Sequence, residues 1–337
     1  MKESIVYLLG AGASAGTIPL KQELLREMIP FFSDNGSTGT IEGLTKAYSD
    51  RNGVAAPTLD ILPEIRHCLQ GAAHYGSIDQ YLDRVKGSAE QIYLSVALDI
   101  YLSIRQSQLP VGPRYRSLIS SLFQSAPGSE VYFCPTKVTI LSWNFDNQLE
   151  MAVRDQVRLP EIALKWAKGE PTERFENPPV LYKINGSSGY LEAAEPRVHE
   201  VTALELLLRR SNYDREDTER LAFGLATFAH RSHSRIQFWW DKPAPGWDEA
   251  LSRISDTETL VIIGYSLHPF NTQKDSQIFS AMPSLKRIIY QVPEDTKSEF
   301  FASLTELLKH SGKDPDALQI DYSPPARFFV PRSLVSG

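Results

Sequence analysis

The sequence contains little cysteine, and this scarcity excludes one class of metal site. Only Cys68 and Cys134 occur among its 337 residues. A structural zinc site built from cysteines needs four thiolates, and neither cysteine has a second cysteine or a suitably spaced histidine beside it. We therefore expect no zinc and no other metal site, and we expect both thiols to be buried in a reducing compartment.

The sequence also lacks long apolar runs and an excess of basic charge. No run approaches the roughly 20 residues that a helix needs to cross a bilayer, and the N-terminus has no signal-peptide layout. With 35 basic and 41 acidic residues, the net charge of −6 would repel a nucleic-acid backbone. These absences predict a cytoplasmic protein with no membrane anchor and no direct nucleic-acid partner.

Short runs of β-branched and apolar residues recur along the chain and predict strands. Most are continuous rather than alternating, which is typical of strands covered on both faces of a parallel sheet. Amphipathic segments at 19–29 and 293–310 predict helices between them. The pattern indicates a doubly wound, Rossmann-type α/β fold with a mainly parallel sheet and helical insertions. The predicted strands are IVYLL (5–9), VTILS (138–142), VLYKI (180–184), RIQFW (235–239), TLVII (259–263), RIIYQ (287–291) and LQIDY (318–322).

The segment between the first predicted helix and the second predicted strand contains no convincing strand. We predict a loop at 32–58, which is rich in Gly, Ser, Thr and Asp, and helices at 78–107 and 114–123 from their apolar periodicity. The chain then divides into a Rossmann-type domain (1–31 and 130–337), a mostly helical insertion (32–129), and a second helical insertion (200–233) between the third and fourth predicted strands.

A glycine-rich loop, GAGASAG, follows the first predicted strand. Glycine permits a tight turn here and lets backbone N–H groups approach a pyrophosphate. A dehydrogenase would also show a second strand ending in Asp or Glu about 20 residues later, and this sequence has no strand there. The loop is therefore either a pyrophosphate site without that acidic partner or a turn that only packs helix on strand. As a site, it comprises Gly10, Ala11, Gly12, Ala13 and Ser14.

Three further predicted strands end in short polar loops. The carboxyl ends of parallel strands share one edge of the sheet, where doubly wound folds bind their ligands. Asparagine and aspartate also favour helix caps, so the pattern has a purely structural alternative. The residues concerned are Asn144 and Asp146 after the second predicted strand, Asn185 after the third, and Gly264, Tyr265 and Ser266 after the fifth.

Together these loops resemble the sirtuin-like family, in the branch of bacterial NAD-consuming proteins found in antiviral defence. The resemblance implies NAD as substrate or ligand, with the glycine-rich loop on its pyrophosphate and the asparagine of an Asn-x-Asp motif in catalysis. It also suggests oligomers and partner defence proteins. The matching segments, in family order, are GAGAS (10–14), SIDQYL (77–82), WNFD (143–146), and IGYSL (263–267) with the downstream Asn271 and Asp275.

Two departures limit what the resemblance implies. Sirtuins that deacetylate lysine carry two CxxC pairs holding zinc, which two lone cysteines cannot supply. The family's catalytic histidine sits in a Lys-x-His-Gly-Ser context, and here that context reads KINGS (183–187), with Asn185 in its place. Asparagine cannot exchange a proton near neutral pH. His268 is a conceivable replacement base, although an exposed loop histidine is the simpler interpretation.

Hydrolysis of the nicotinamide–ribose bond of NAD+ is the leading interpretation. The leaving group is a cationic pyridinium, so its departure needs no acid. Asn144 would orient a water, Asp146 would stabilise positive charge on the ribose, and Asn185 would hydrogen-bond a ribose hydroxyl. The alternative is a catalytically weak or silent NAD-binding module acting through partner or oligomer contacts, which the loss of the histidine favours. Transfer of ADP-ribose to protein also stays open.

Overall fold

A computed structural model describes most of the chain. The described residues are 3–33, 37, 39–58, 60–75, 78–189, 192–193, 202–209, 214–228, 232–238, 241 and 246–335. Ser77 of the SIDQYL segment and Trp239 of the predicted strand at 235–239 lie outside these ranges.

A six-stranded, all-parallel sheet forms the centre of the molecule. Its order is β6-β5-β4-β1-β2-β3, so the chain builds outward from β1 in one direction and then from β4 in the other. This confirms the predicted doubly wound, Rossmann-like α/β fold. The strands are β1 (Ser4–Leu9), β2 (Lys137–Ser142), β3 (Val180–Lys183), β4 (Thr259–Ile263), β5 (Arg287–Gln291) and β6 (Gln319–Tyr322).

Strand β1 lies between β2 and β4, where the direction of winding reverses. Ile5 pairs with Val138 on one side and with Thr259 on the other. All six residues of β1 are buried, because helices cover both faces of the sheet. The loops that leave the carboxyl ends of β1 and β4 therefore meet beside each other at the crevice where such folds bind ligands.

Thirteen α-helices are present among the described residues. Helices α6, α7 and α8 pack on one face of the sheet, while α11, α12 and α13 pack on the other. Helices α1 to α5 and α10 form a separate apolar core beside the sheet. The helices are α1 (Lys21–Phe31), α2 (Ile41–Asn52), α3 (Leu62–Tyr75), α4 (Ile78–Arg84), α5 (Ala89–Gln108), α6 (Pro113–Leu122), α7 (Gln148–Val157), α8 (Pro160–Ala167), α9 (Ala203–Arg209), α10 (Arg215–Phe228), α11 (Trp247–Arg253), α12 (Thr272–Ser280) and α13 (Lys297–His310).

The predicted strand at 235–239 is wrong. Residues 234–238 have no strand structure and instead cross the turn that follows β3. The Gln237 N–H donates to the Asn185 carbonyl at 2.7 Å. Ile236 and Phe238 are buried in the helical core rather than in the sheet. The apolar character of the segment thus reflects packing against helices. A short apolar run is equally consistent with such packing and with a buried strand.

The loop predicted at 32–58 is also wrong, because it contains α2. Thr40 caps this helix by accepting a hydrogen bond from the Gly43 N–H at 3.0 Å, and Gly53 ends it in the left-handed conformation with φ 64°. The polar composition concealed a helix that buries Ile41 and Leu44 on one side. The single helix predicted at 78–107 divides into α4 and α5, separated by Gly87 at φ 77°.

Within the described residues, no helix combines the length and the apolar character that crossing a membrane requires.

Candidate functional site

A cavity of about 560 Å³ opens at the carboxyl edge of the sheet, where the winding direction reverses. The loops after β1, β2, β3 and β4 all contribute to its lining. The structure thus brings most of the predicted site residues together, while Gly10 and Ala13 lie behind the lining. The predicted residues that line the cavity are Ala11, Gly12, Ser14, Asn144, Asp146, Asn185, Gly264, Tyr265 and Ser266.

The glycines of the first loop are required by its contact with the loop after β4. A Cβ on Gly10 would lie 2.5 Å from the Tyr265 Cα, and one on Gly12 would lie 2.9 Å from the Gly264 Cα. The N–H of Gly12 donates to the Gly264 carbonyl at 2.8 Å. Packing of the two loops therefore explains these glycines without a ligand, although Ala11, Gly12 and Ser14 still face the cavity.

Arg114 on α6 fixes the same loop from behind. Its Nη2 donates to the carbonyls of Gly12, Ala13 and Ala15 at 3.3, 3.0 and 2.8 Å. Burial lowers the pKa of this guanidinium. The sequence pattern did not identify Arg114, because the contact joins the helical insertion to the sheet and leaves no local signal.

Asn144 is held by a buried network of hydroxyl groups. Its Nδ2 donates to the Ser14 Oγ and to the Tyr115 Oη, each at 3.3 Å, and those two hydroxyls are 3.0 Å apart. Asn144, Ser14 and Tyr115 are each at most 5% exposed. The Asn144 Oδ1 is buried with no hydrogen-bond partner. An amide fixed through its nitrogen in this way leaves its oxygen as an acceptor without a partner, on a residue that lines the cavity.

Asp146 combines a structural role with its position on the cavity. Its Oδ1 accepts at 3.1 Å from the N–H of Gln148, the first residue of α7, so it contacts the helix end as the structural alternative predicts. Its Oδ2 accepts from the Ser14 Oγ at 2.8 Å. The Lys183 ammonium donates to the Asp146 carbonyl and forms an ion pair with the buried Glu150 at 3.4 Å. Both carboxylate oxygens of Asp146 are therefore already engaged.

Asn185 lies at the turn after β3, and its Oδ1 is a second buried acceptor without a partner. Gly186 follows at φ 75°, and a Cβ there would lie 1.8 Å from the Arg235 carbonyl oxygen. The glycine is therefore required by the close passage of the 234–238 segment. That segment contacts the Asn185 turn and adds Phe238 to the cavity lining.

A network of hydrogen-bonded side chains joins the loops after β2 and β3. The sequence pattern did not predict this network. The Asn147 Nδ2 donates to the Ser188 carbonyl at 3.0 Å, and the Ser187 Oγ donates to the Asn147 Oδ1 at 2.6 Å. The Gln106 Nε2 on α5 donates to the Ser188 Oγ at 3.3 Å. These bonds fix the positions of Asn144 and Asn185 relative to each other.

The loop after β4 is anchored by buried polar groups. The Tyr265 hydroxyl donates to the Asp275 Oδ2 at 2.7 Å and accepts from the Asn271 Nδ2 at 2.9 Å. The Tyr265 ring stacks on Trp143 with 5.5 Å between centroids. Burial raises the pKa of Asp275 to about 8, against the opposing effects of the Tyr265 hydrogen bond and the Lys274 charge. The carboxyl of Asp275 is therefore mainly protonated at neutral pH.

Raising the pH should destabilise the protein through Asp275. Its folded pKa lies above the unfolded value of about 3.9, so the folded state keeps a proton that the unfolded state has lost. Stability is therefore lost as pH rises through the folded pKa. Between pH 7 and 9 we expect a loss of about 1 kcal/mol from this group. Urea denaturation at several pH values should show this loss in the wild type and in the exposed-carboxyl control Asp60→Asn. An equal loss of stability in Asp275→Asn would contradict the assignment of this pH dependence to Asp275.

Two chemically different walls enclose the cavity. The helical wall comes from α1, α4, α5 and the segment before α1, and it is entirely apolar. The α13 wall combines hydroxyl, carboxylate and aromatic side chains. His268, also on the lining, accepts from the Phe270 N–H at 3.3 Å through its Nδ1. The helical wall comprises Ile18, Leu24, Ile78, Leu82, Leu98 and Leu102, and the α13 wall comprises Thr296, Glu299, Phe300 and Ser303.

In the part of the chain that the structure describes, no three His, Cys, Asp or Glu side chains are grouped to hold a metal ion. Cys68 and Cys134 are both buried. No protein-family model matches the chain, and no curated protein matches it either.

Proposed function

We propose that this protein is an NAD+ glycohydrolase, which cleaves the nicotinamide–ribose bond to nicotinamide and ADP-ribose. The main support is the pair of buried acceptors without hydrogen-bond partners, Asn144 Oδ1 and Asn185 Oδ1, on two residues that line a cavity at the reversal point of the sheet. Buried polar atoms of this kind require donors, because an unsatisfied acceptor costs about 1 to 3 kcal/mol. A water and the hydroxyls of a ribose are such donors.

Asn144 is the group that would orient the attacking water. Because Ser14 and Tyr115 both accept from its Nδ2, two hydrogen bonds hold the amide in this position. Its Oδ1 would accept a hydrogen bond from the water and fix it beside the anomeric carbon. Positioning of this kind contributes to the rate without proton transfer by the asparagine.

Asp146 and Asn185 would act on the ribose. The transition state carries positive charge on the ribose ring, and a buried carboxylate stabilises such charge. Asp146 is 6% exposed and lines the cavity. Asn185 would accept a hydrogen bond from a ribose hydroxyl. The apolar helical wall would exclude bulk water from the side on which a flat nicotinamide ring can lie.

A binding module without turnover is the second candidate function. It is favoured by the hydrogen bonds to both carboxylate oxygens of Asp146, which reduce the carboxylate's capacity to stabilise additional charge. Asn185 supplies no proton acceptor in the place of a base. In this alternative, the same loops would hold NAD and transmit its presence through partner or oligomer contacts.

Incubation of the purified protein with NAD+ distinguishes the two functions. Chromatography should resolve nicotinamide, ADP-ribose and cyclic products, while calorimetry measures binding in parallel. Equal release of nicotinamide and ADP-ribose supports the hydrolase. Binding without any nicotinamide release supports the binding module, and nicotinamide release with ADP-ribose retained on protein indicates a transferase. Absence of both binding and release would exclude NAD as the ligand.

Replacing Asn185 with histidine should raise the rate of nicotinamide release. A general base contributes roughly 10²- to 10⁴-fold, so we expect a gain of at least about tenfold. The gain should disappear below about pH 6.5, where the imidazole becomes protonated. Asn52→His at the exposed end of α2 serves as the control and should leave the rate unchanged. If Asn185→His releases nicotinamide more slowly than the wild type but binds NAD+ normally, the Asn185 amide is itself better suited to the reaction than a histidine base.

A further inference from the structure

The α13 wall carries the polar groups that the helical wall lacks. Thr296, Glu299 and Ser303 occur at helical spacing and all line the cavity. The Glu299 side chain is exposed, and no ion pair engages it within the described residues. Phe300 belongs to the same helix, and Phe270 also lines the cavity. This wall therefore offers a carboxylate and two hydroxyls beside aromatic rings.

A dinucleotide on this sheet edge would place its adenosine against the α13 wall. Asn144 and Asn185 follow β2 and β3, on one side of the reversal point, whereas Val292 and α13 follow β5, on the other. A ribose diol needs hydrogen-bond acceptors, and the helical wall provides only Leu and Ile side chains. Adenine can lie against the aromatic side chains of the α13 wall, with its ribose near the carboxylate.

The carboxylate of Glu299 on α13 can also replace an acidic residue that this chain does not offer at its usual position. Dinucleotide-binding folds hold the adenosine ribose with an acidic residue at the end of the second strand. In this chain β2 ends at Ser142, and the acidic residue nearby, Asp146, is engaged by Ser14 and Gln148. Glu299 approaches the cavity from the opposite side of the sheet. Among the described residues that line the cavity there is no Lys or Arg to accept a 2′-phosphate.

We infer that Glu299 binds the 2′- and 3′-hydroxyls of the adenosine ribose and thereby selects NAD+ over NADP+. The inference rests on the proposed function in that it requires a dinucleotide in this cavity. A carboxylate accepts hydrogen bonds from both hydroxyls of a diol, and it repels the added negative charge of a 2′-phosphate. The same carboxylate therefore attracts the ribose diol of NAD+ and repels the 2′-phosphate of NADP+, and the difference in affinity gives the selection.

Glu299 also lies in the first turn of α13, where an acidic side chain stabilises the helix dipole. Asp295 lies close to the same helix end and does not line the cavity. Asp295→Asn therefore tests the helix-end role alone and is the matched control for Glu299→Gln. Thermal denaturation of all variants verifies that each is folded.

Calorimetric titration with NAD+ and NADP+ tests the inference by binding alone. We expect the wild type and Asp295→Asn to prefer NAD+ by at least roughly tenfold. Glu299→Gln should bind NAD+ more weakly, with much of the preference lost, and Glu299→Lys should bind NADP+ more tightly than the wild type does.

The contrary outcomes are distinguishable. Wild-type protein that binds NAD+ and NADP+ equally would overturn the role of Glu299 and leave the proposed function intact. The same applies if Glu299→Gln retains the full preference. Folded wild-type protein that binds neither dinucleotide would overturn the proposed function together with this inference.

Discussion

The Asn144→Ala variant is expected to lose nicotinamide release while it retains NAD+ affinity within a few fold. A water-orienting group acts mainly in the transition state, so its removal lowers kcat far more than it weakens binding. We expect a decrease of at least roughly 100-fold. Single-turnover assays of nicotinamide release, combined with calorimetry of NAD+ binding, separate the two quantities. The free energy of unfolding should change much less than the activation free energy of the reaction does. The reason is that Ser14 and Tyr115 still bond to each other at 3.0 Å.

Tyr115→Phe is the matched variant for this experiment. It removes one of the two acceptors that hold the Asn144 Nδ2 and leaves the Ser14 contact in place. We therefore expect a decrease of less than tenfold, since the amide is loosened rather than removed. If Asn144→Ala still releases nicotinamide at a tenth of the wild-type rate or faster, the water-orienting role is wrong. Complete loss of NAD+ binding would instead assign Asn144 to ligand binding.

The Gly264→Ala variant is expected to be strongly destabilised. Gly264 has φ 59°, and a Cβ there would lie 2.1 Å from the Ala13 nitrogen. The backbone conformation and the collision with main-chain atoms together should lower the free energy of unfolding by roughly 2 to 5 kcal/mol. Urea denaturation measures this loss directly. The loops after β1 and β4 would have to separate, so the cavity wall that they form would be lost with it.

Gly312→Ala isolates the conformational part of this effect. Gly312 has φ 74°, but a Cβ there would meet no atom within 4 Å. We expect a loss of about 1 kcal/mol, which is the strain of a left-handed alanine alone. Equal effects of the two substitutions would show that the loop contact contributes nothing to stability.

The same contact between the two loops governs Gly12, where a Cβ would lie 2.9 Å from the Gly264 Cα. Loss of NAD+ binding in Gly12→Val would therefore reflect a displaced loop as much as a blocked pyrophosphate.

The strands were predictable because their signal is local. Six of the seven predicted strands form the sheet, since continuous apolar runs suit strands buried on both faces. The exception at 235–239 has the same local pattern, but its residues Ile236 and Phe238 are buried against helices. Helix α2 was missed for the opposite reason, because its polar composition concealed a cap at Thr40 and a stop at Gly53.

The sequence by itself determined the parallel α/β fold and the strand ends that carry Asn144, Asn185 and Gly264. These features follow from residue type and spacing along a short stretch of chain, where strand direction alone brings the carboxyl ends to one edge. Only the tertiary structure decided what each residue contacts there. Packing between segments far apart in sequence fixes the Asn144 amide through Tyr115, occupies both oxygens of Asp146, and brings Glu299 to the cavity from the far side of the sheet. Such contacts depend on distances across the folded chain, and no spacing along the sequence encodes them.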